Sequence, residues 1–323
     1  MNLRHWRSIK ASLLVSCLFL HTVGEVVHTA DINQALRAAI RSADYEKVNS
    51  LLKKGADVNA RDEEGMTALM HAALYGNAEL MTSLLERGAD PNARSNARLT
   101  ALMLAAGDLD KVNSLLAKGA DVNARTSSGV SPLMISAGHR GAINVVKRLL
   151  DQGADTNAQS AAGDTALIHA AICGDREILN ELLVHGANLE AIDAANLTAL
   201  IYAVQCGNTE AMKLLIAKGA NVNARTKLGR TSLMAAVRRN FIEIVRSLLD
   251  AGAEVNLRDQ NGYTALIWAA ENESGDPSIA SALLEKGAEI NVRAKDGATA
   301  LVWAGKRGET RLVKLLRKSG ATE

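Results

Sequence analysis

The sequence predicts an all-α repeat solenoid, a stack of about nine short helix-turn-helix units. Three observations lead there. A Gly-Ala pair recurs at Gly55, Gly88, Gly119, Gly153, Gly186, Gly219, Gly252, Gly287 and Gly320, with gaps of 33, 31, 34, 33, 33, 33, 35 and 33 residues. A second marker, Thr/Ser-x-Leu, begins at Thr67, Thr100, Ser131, Thr165, Thr198, Thr231, Thr264 and Thr299 and stays in phase with the first. Hydrophobic residues make up 48% of the 323 residues, yet aromatics only 3%, and prolines number 3. A core that poor in rings is assembled from Ala, Leu, Val and Ile at close approach. A fixed period of this length marks units that cannot bury their apolar face alone and stack instead.

The chain opens on a segment of different character. Arg4, Arg7 and Lys10 precede an apolar run over residues 11–20, and no acidic residue occurs before Glu25. A basic start followed by about ten apolar residues is the pattern of a secretory leader, and the run is too short for a membrane span, which needs about 20. Residues 1–24 are therefore read as a signal peptide. Thr22-Val23-Gly24 places cleavage after Gly24; Ala30 is the competing point. Leu14-Val15-Ser16-Cys17 also has the form of a lipoprotein box, which would put a lipid anchor on Cys17.

Within a unit each element has a cause. Thr67 and its equivalents are N-caps, accepting a bond from the free N–H groups of the first helical turn. The Ala-Ala pair of the first helix, Ala72 and Ala73, allows close approach to the next unit. The Leu-Leu pair of the second helix, Leu84 and Leu85, fills the space between units. Gly88 and its equivalents follow the helix end, where a left-handed residue stops it.

Residues 62–94, DEEGMTALMHAALYGNAELMTSLLERGADPNAR, resemble an ankyrin repeat. They carry the turn Gly65, the Thr-x-Leu start, Ala72-Ala73, the Gly76 between helices, Leu84-Leu85, and Gly-Ala-Asp-x-Asn from Gly88 to Asn92. The resemblance covers residues 31–323. It implies helix-turn-helix units joined by β-turn or hairpin loops, at about 31–61, 62–94, 95–125, 126–159, 160–192, 193–225, 226–258, 259–293 and 294–323.

Departures from the repeat are local. The unit 95–125 is two residues short near Gly107. The unit 126–159 has one extra residue near Gly138-His139-Arg140, and 259–293 has two extra between Asn272 and Pro277. Arg98 and Asn196 stand where the turn glycine belongs; Asn tolerates a left-handed backbone and Arg does so poorly. Where the family carries His after the capping Thr, this chain has Met70, Met103, Met134, Ile168, Ile201, Met234, Ile267 and Val302, which trades a polar contact for apolar packing.

No phosphate loop, Gly-x-Ser-x-Gly, His-Glu-x-x-His or haem-attachment motif occurs, so no catalytic residue, metal or cofactor is expected. His71 and His169 share the register of Leu104, Ile135, Tyr202, Trp268 and Trp303 and read as packing residues. Three cysteines make no disulfide framework. Cys173 and Cys206 fall one stacking step apart, about 10 Å where a disulfide needs Cα atoms within about 7 Å; both are expected as free thiols.

The formal charge is +2 with a pI of about 8.4. The leader holds three of the 37 basic residues and none of the 35 acidic ones, leaving 34 against 35, a net charge of −1. That is far from the surplus of a nucleic-acid binder.

The resemblance implies that a partner protein contacts the turn tips and the inner-helix face. Those positions are Glu63, Glu64, Met66, Leu74 and Tyr75 near the start. In the middle they are largely uncharged, from Ala161 to Cys206. Toward the end they are Lys227, Leu228, Arg230, Arg238, Arg239, Gln260, Asn261, Tyr263, Lys306 and Arg307. Such a groove is acidic at its start and basic toward its end, with Lys227, Arg230, Arg238 and Arg239 the densest cluster, suited to an acidic protein segment. The expected function is a non-catalytic, monomeric protein-interaction scaffold, exported to the periplasm or secreted, with no nucleic acid bound and no membrane span. A secreted effector acting on host proteins is the alternative, and an enzyme on the repeat scaffold a minor one. Asn196-Leu197-Thr198 and Asn272-Glu273-Ser274 match the N-glycosylation pattern, which matters only in a eukaryotic host.

Overall fold

Every capping residue read from the sequence performs that task. The side chains of Thr67, Thr100, Ser131, Thr165, Thr198, Thr231, Thr264 and Thr299 each accept the backbone N–H three residues on, at 3.2–3.4 Å. The computed structural model describes residues 29–272, 277–306 and 308–322. Residues 1–28, and with them the segment read as a signal peptide, residues 273–276, Arg307 and Glu323 lie outside them. Eighteen helices occur among the described residues, in nine antiparallel pairs, and no strand.

The first helices of the pairs are α1 (Thr29–Arg41), α3 (Ala68–Tyr75), α5 (Ala101–Leu104), α7 (Pro132–Ala137), α9 (Ala166–Cys173), α11 (Ala199–Gln205), α13 (Ser232–Arg238), α15 (Ala265–Glu271) and α17 (Ala300–Gly305). They pack on one another as an inner layer. The second helices form the outer layer: α2 (Tyr45–Lys53), α4 (Ala78–Glu86), α6 (Leu109–Ala117), α8 (Ile143–Asp151), α10 (Arg176–Val184), α12 (Thr209–Ala217), α14 (Ile242–Asp250), α16 (Ser278–Glu285) and α18 (Arg311–Lys318). Each layer contacts its own neighbours and its partner layer, so the core is a continuous sheet of side chains between them.

The small inner residues disappear entirely: Ala72, Ala137, Ala170, Ala171, Ala203 and Ala236 are all fully buried. In the outer helices the core residue is the Leu four positions before the Gly of Gly-Ala. Leu84, Leu115, Leu182, Leu215, Leu248, Leu283 and Leu316 are inaccessible, whereas the residue after each is more exposed. The residues standing where the family has His are likewise buried from Met70 to Ile267. Val302, the last of them, is 36% exposed because no described helix follows α17 in the inner layer.

Two sets of bonds join unit to unit. At the turn tips one backbone bond crosses each step from the second unit onward: Asn96 N–H to Glu64, Ser127 to Ala97, Ala161 to Ser128, Ala194 to Ala162, Lys227 to Ala195, Gln260 to Leu228 and Lys295 to Asn261, all at 2.8–3.0 Å. At the opposite edge the last Asn of Gly-Ala-Asp-x-Asn clamps the next unit with both ends of its amide. Asn123 accepts from Asp155 N–H at 2.9 Å and donates to the Gly153 carbonyl at 3.0 Å. Asn59, Asn92 and Asn157 repeat the pattern. Glu190 stands where one unit should have Asn. It keeps the acceptor half, taking Asn221 N–H at 2.8 Å, but has no N–H to donate.

The irregular units show where length is absorbed. The two-residue deletion shortens the inner helix α5 to four residues, leaving the outer helix α6 at full length. The extra residue near Gly138 goes into the turn before α8, whose N-cap position, Ala142, offers no side-chain bond. Arg98 and Asn196 do adopt the left-handed backbone, with φ of 59° and 58°. A side chain in that region costs about 1–2 kcal/mol, and among the described residues the exposed Arg98 has no side-chain ion pair to offset it. Arg98→Gly is therefore expected to raise stability by about 1 kcal/mol, read as a higher denaturant midpoint; an unchanged or lower midpoint contradicts the strain.

Candidate functional site

The charged positions fall into separate groups along the concave side. Glu63 and Glu64 are exposed at an early turn tip, where the Glu64 carbonyl takes the Asn96 N–H. Tyr75 ends α3 at 40% exposure, its ring 6.3 Å from that of His71. Met66, counted among the contact positions, is instead a core residue at 5% exposure. These residues do not meet the basic group, which lies five units further on.

The basic group is brought together. Lys227, Arg230, Arg238 and Arg239 line one cleft of about 250 Å³, with Leu197, Ile201 and Gln205 from the unit before and Trp268 from the unit after. Local structure places each one. Lys227 and Leu228 form the turn tip, tied to Ala195 and Gln260 by the backbone ladder. Arg230 leaves the turn where its own N–H is held by Thr226 Oγ1 at 3.1 Å. Arg238 is the last residue of α13 and Arg239 caps it.

The cleft has little negative charge to offset them. Asp259 is the nearest carboxylate, at 3.9 Å from Arg230 Nε, beyond hydrogen-bond reach. Its Oδ1 is already committed to the N–H groups of Asn261 and Tyr263 at 2.9 and 3.0 Å. Among the described residues no acidic group lies within ion-pair distance of Lys227, Arg238 or Arg239.

Trp268, not singled out from the sequence, is the centre of this group. The Arg230 and Arg238 guanidinium carbons lie 5.0 and 5.5 Å from its ring centroid, within cation–π range. Tyr263 meets it edge-on at 5.4 Å and meets Trp303 edge-on at 6.2 Å. The Lys306 ammonium sits 3.3 Å from the Trp303 centroid. The line from Arg230 to Lys306 is thus a strip of cations laid on aromatic rings. Its far end is partly neutralised: Tyr263 donates to Asp296 Oδ2 at 2.7 Å. Burial and that carboxylate hold the Tyr263 hydroxyl up at about 12, and the Ala298 N–H and the Tyr263 hydroxyl hold the Asp296 carboxyl low. The sequence signal was available: the tryptophans of the repeats share one register, two residues after the Leu of Thr-x-Leu, beside the densest basic run.

The histidines are packing residues, as their register implied. His71 is buried and donates to Asp62 Oδ2 at 2.7 Å. No cluster of three metal-ligating side chains occurs among the described residues. Cys173 and Cys206 are both free thiols, raised by burial; Cys17 lies outside the described residues. No helix among those described is long and apolar enough to cross a membrane.

Comparison with known proteins agrees with this architecture. The family model described as "Ankyrin repeats (3 copies)" matches residues 35–126, 133–226 and 223–294. Among solved structures, the ankyrin repeat domain of human ASB11 is 28% identical, with a TM-score of 0.62, over 70% of this chain and 100% of that one. No curated protein matches.

Burial lowers the pKa of both His71 and His169 from the ordinary 6.5, outweighing the opposing pull of Asp62 and Asp164. As pH falls through 6.5 the unfolded chain takes up these protons first, so the native state loses stability. The denaturant midpoint is expected to fall between pH 7 and 5, and to fall less in the His71→Leu, His169→Leu protein. Equal slopes in the two proteins would contradict this.

Proposed function

Because the chain belongs to the ankyrin repeat family, we propose that it is a non-catalytic scaffold that captures a partner protein through its concave face, in an extracytoplasmic compartment. The observation that carries the reading is the cleft of Lys227, Arg230, Arg238 and Arg239, where four cations face one carboxylate that is already bonded to backbone N–H groups. Unneutralised charge held in a concavity attracts an oppositely charged segment and speeds its encounter. Repeat scaffolds bind through such extended concave surfaces rather than through a reaction centre. The basic and apolar leader over residues 1–24 supports export, and the −1 charge of the chain without it speaks against nucleic acid.

Arg238→Glu with Arg239→Glu is expected to cut partner recovery in affinity capture from the envelope fraction at least tenfold, about 1.4 kcal/mol or more, with the melting curve unchanged. Unchanged recovery would discard the cleft as the contact. Recovery of the protein solely from cytosol with its leader intact would overturn the location.

A further inference from the structure

The scaffold reading leaves open what the cleft recognises. The two guanidinium groups of Arg230 and Arg238 come from different parts of one unit and would ordinarily be mobile. Here both are laid on a single indole belonging to the next unit. Trp268 is 8% exposed and so contributes no free ring face. Its Nε1, and the Nε of Arg230, are buried without a hydrogen-bond partner. The acceptor nearest the Arg230 Nε is Asp259 Oδ2 at 3.9 Å, beyond hydrogen-bond reach, so this charged donor is left unsatisfied.

Two features decide the class of ligand. Sugar rings bind by stacking on exposed aromatic faces, and this ring is already covered by cations, which disfavours an acidic glycan. The cleft is also open along three units, and its wall near the arginines is apolar, formed by the half-buried Leu197 and the 51% exposed Leu228. A carboxylate on a short aliphatic stem, repeated along an extended backbone, matches both the cations and that wall.

We propose that this cleft is a carboxylate-binding site for a glutamate-rich peptide segment, with Trp268 as the positioning residue that holds Arg230 and Arg238 ready for bidentate contact. The inference rests on the scaffold reading and narrows it. Planar guanidinium groups suit carboxylates in a way a lysine ammonium does not. Stacking on the indole also removes rotamer freedom before the ligand arrives, lowering the cost of binding.

The test is fluorescence anisotropy of a fluorescein-labelled ten-residue peptide of alternating Glu and Gly, on the full chain at low salt. The wild-type protein is expected to bind it and to ignore the Lys-Gly counterpart. Arg230→Gln and Arg238→Gln should each weaken binding about tenfold. Trp268→Leu, which removes no charge, should weaken it about fivefold, and Trp268→Phe, which keeps a ring face, should restore it to within about twofold. Because Trp268 is buried, melting curves accompany each variant; should the Leu protein unfold, the Phe and Gln variants decide the case.

Wild-type affinity in both Gln variants would overturn the site. Wild-type affinity in folded Trp268→Leu would overturn the positioning role. Displacement of the peptide by polygalacturonate as readily as by unlabelled peptide would overturn the peptide class. If the charge-reversed protein loses its partner while no variant alters peptide binding, this site is rejected and the scaffold reading stands.

Discussion

The bond between one unit and the next is the constraint on which everything else depends. A single helix pair here has an inner helix of four to eight residues from α3 onward, far below the length at which a helix holds in water. Its apolar face is covered only by its neighbours. The Asn amide at one edge and the single backbone bond at the turn tip fix how each unit sits on the next. Between these two edges the buried Leu and Ala rows fill the remaining space. Register is therefore set at both rims and packing in the middle. The same logic explains why Glu190 is tolerated: it retains the acceptor bond that fixes register and gives up only the donor.

That registration is what creates a site at all. Ile201, Arg238 and Trp268 belong to three successive units and become neighbours only when those units stack. The turn tips carry Lys227 and Leu228 on a backbone ladder, so the rim of the cleft is anchored on both sides. Four cations share one nearby carboxylate: Asp259 closes its own turn through Oδ1 and leaves Oδ2 at 3.9 Å from Arg230, with no acidic group of the described residues paired to Lys227, Arg238 or Arg239. A structural need of the turn and the electrostatics of the groove thus meet in one residue. The early end of the groove differs in kind: Glu63 and Glu64 are solvated tips, and nothing positions them toward the basic cleft.

Much of this was legible in the sequence because the repeat makes one argument serve many times. The capping Thr residues, the left-handed Arg98 and Asn196, the buried Met and Ile positions and the free thiols all followed from local rules. The basic cluster was visible as a run of charge. What escaped depended on contacts between units. Trp268 looked like one more packing residue, since its register is shared with Leu104 and Ile135; only the stack shows two guanidinium groups on its ring. Met66 was placed at the surface because it sits in a turn, yet the side chain turns inward. The Asn of Gly-Ala-Asp-x-Asn was recognised as a marker, and its clamp across 30-odd residues was not, because no spacing rule within a unit contains it. Residues 273–276, which span the two-residue insertion, and Arg307 lie outside the described structure.

The central claim is that the basic end of the concave face, and not the outer layer, holds the partner. Site-specific photocrosslinking in the intact cell tests it most directly. A photoreactive residue at Leu228, 51% exposed at the rim of the cleft, is compared with one at Val184, 67% exposed at the end of outer helix α10. Both side chains are exposed, so the two proteins are expected to fold alike. The account predicts a discrete crosslinked product from position 228 and none from 184. A product from 184 alone would contradict it.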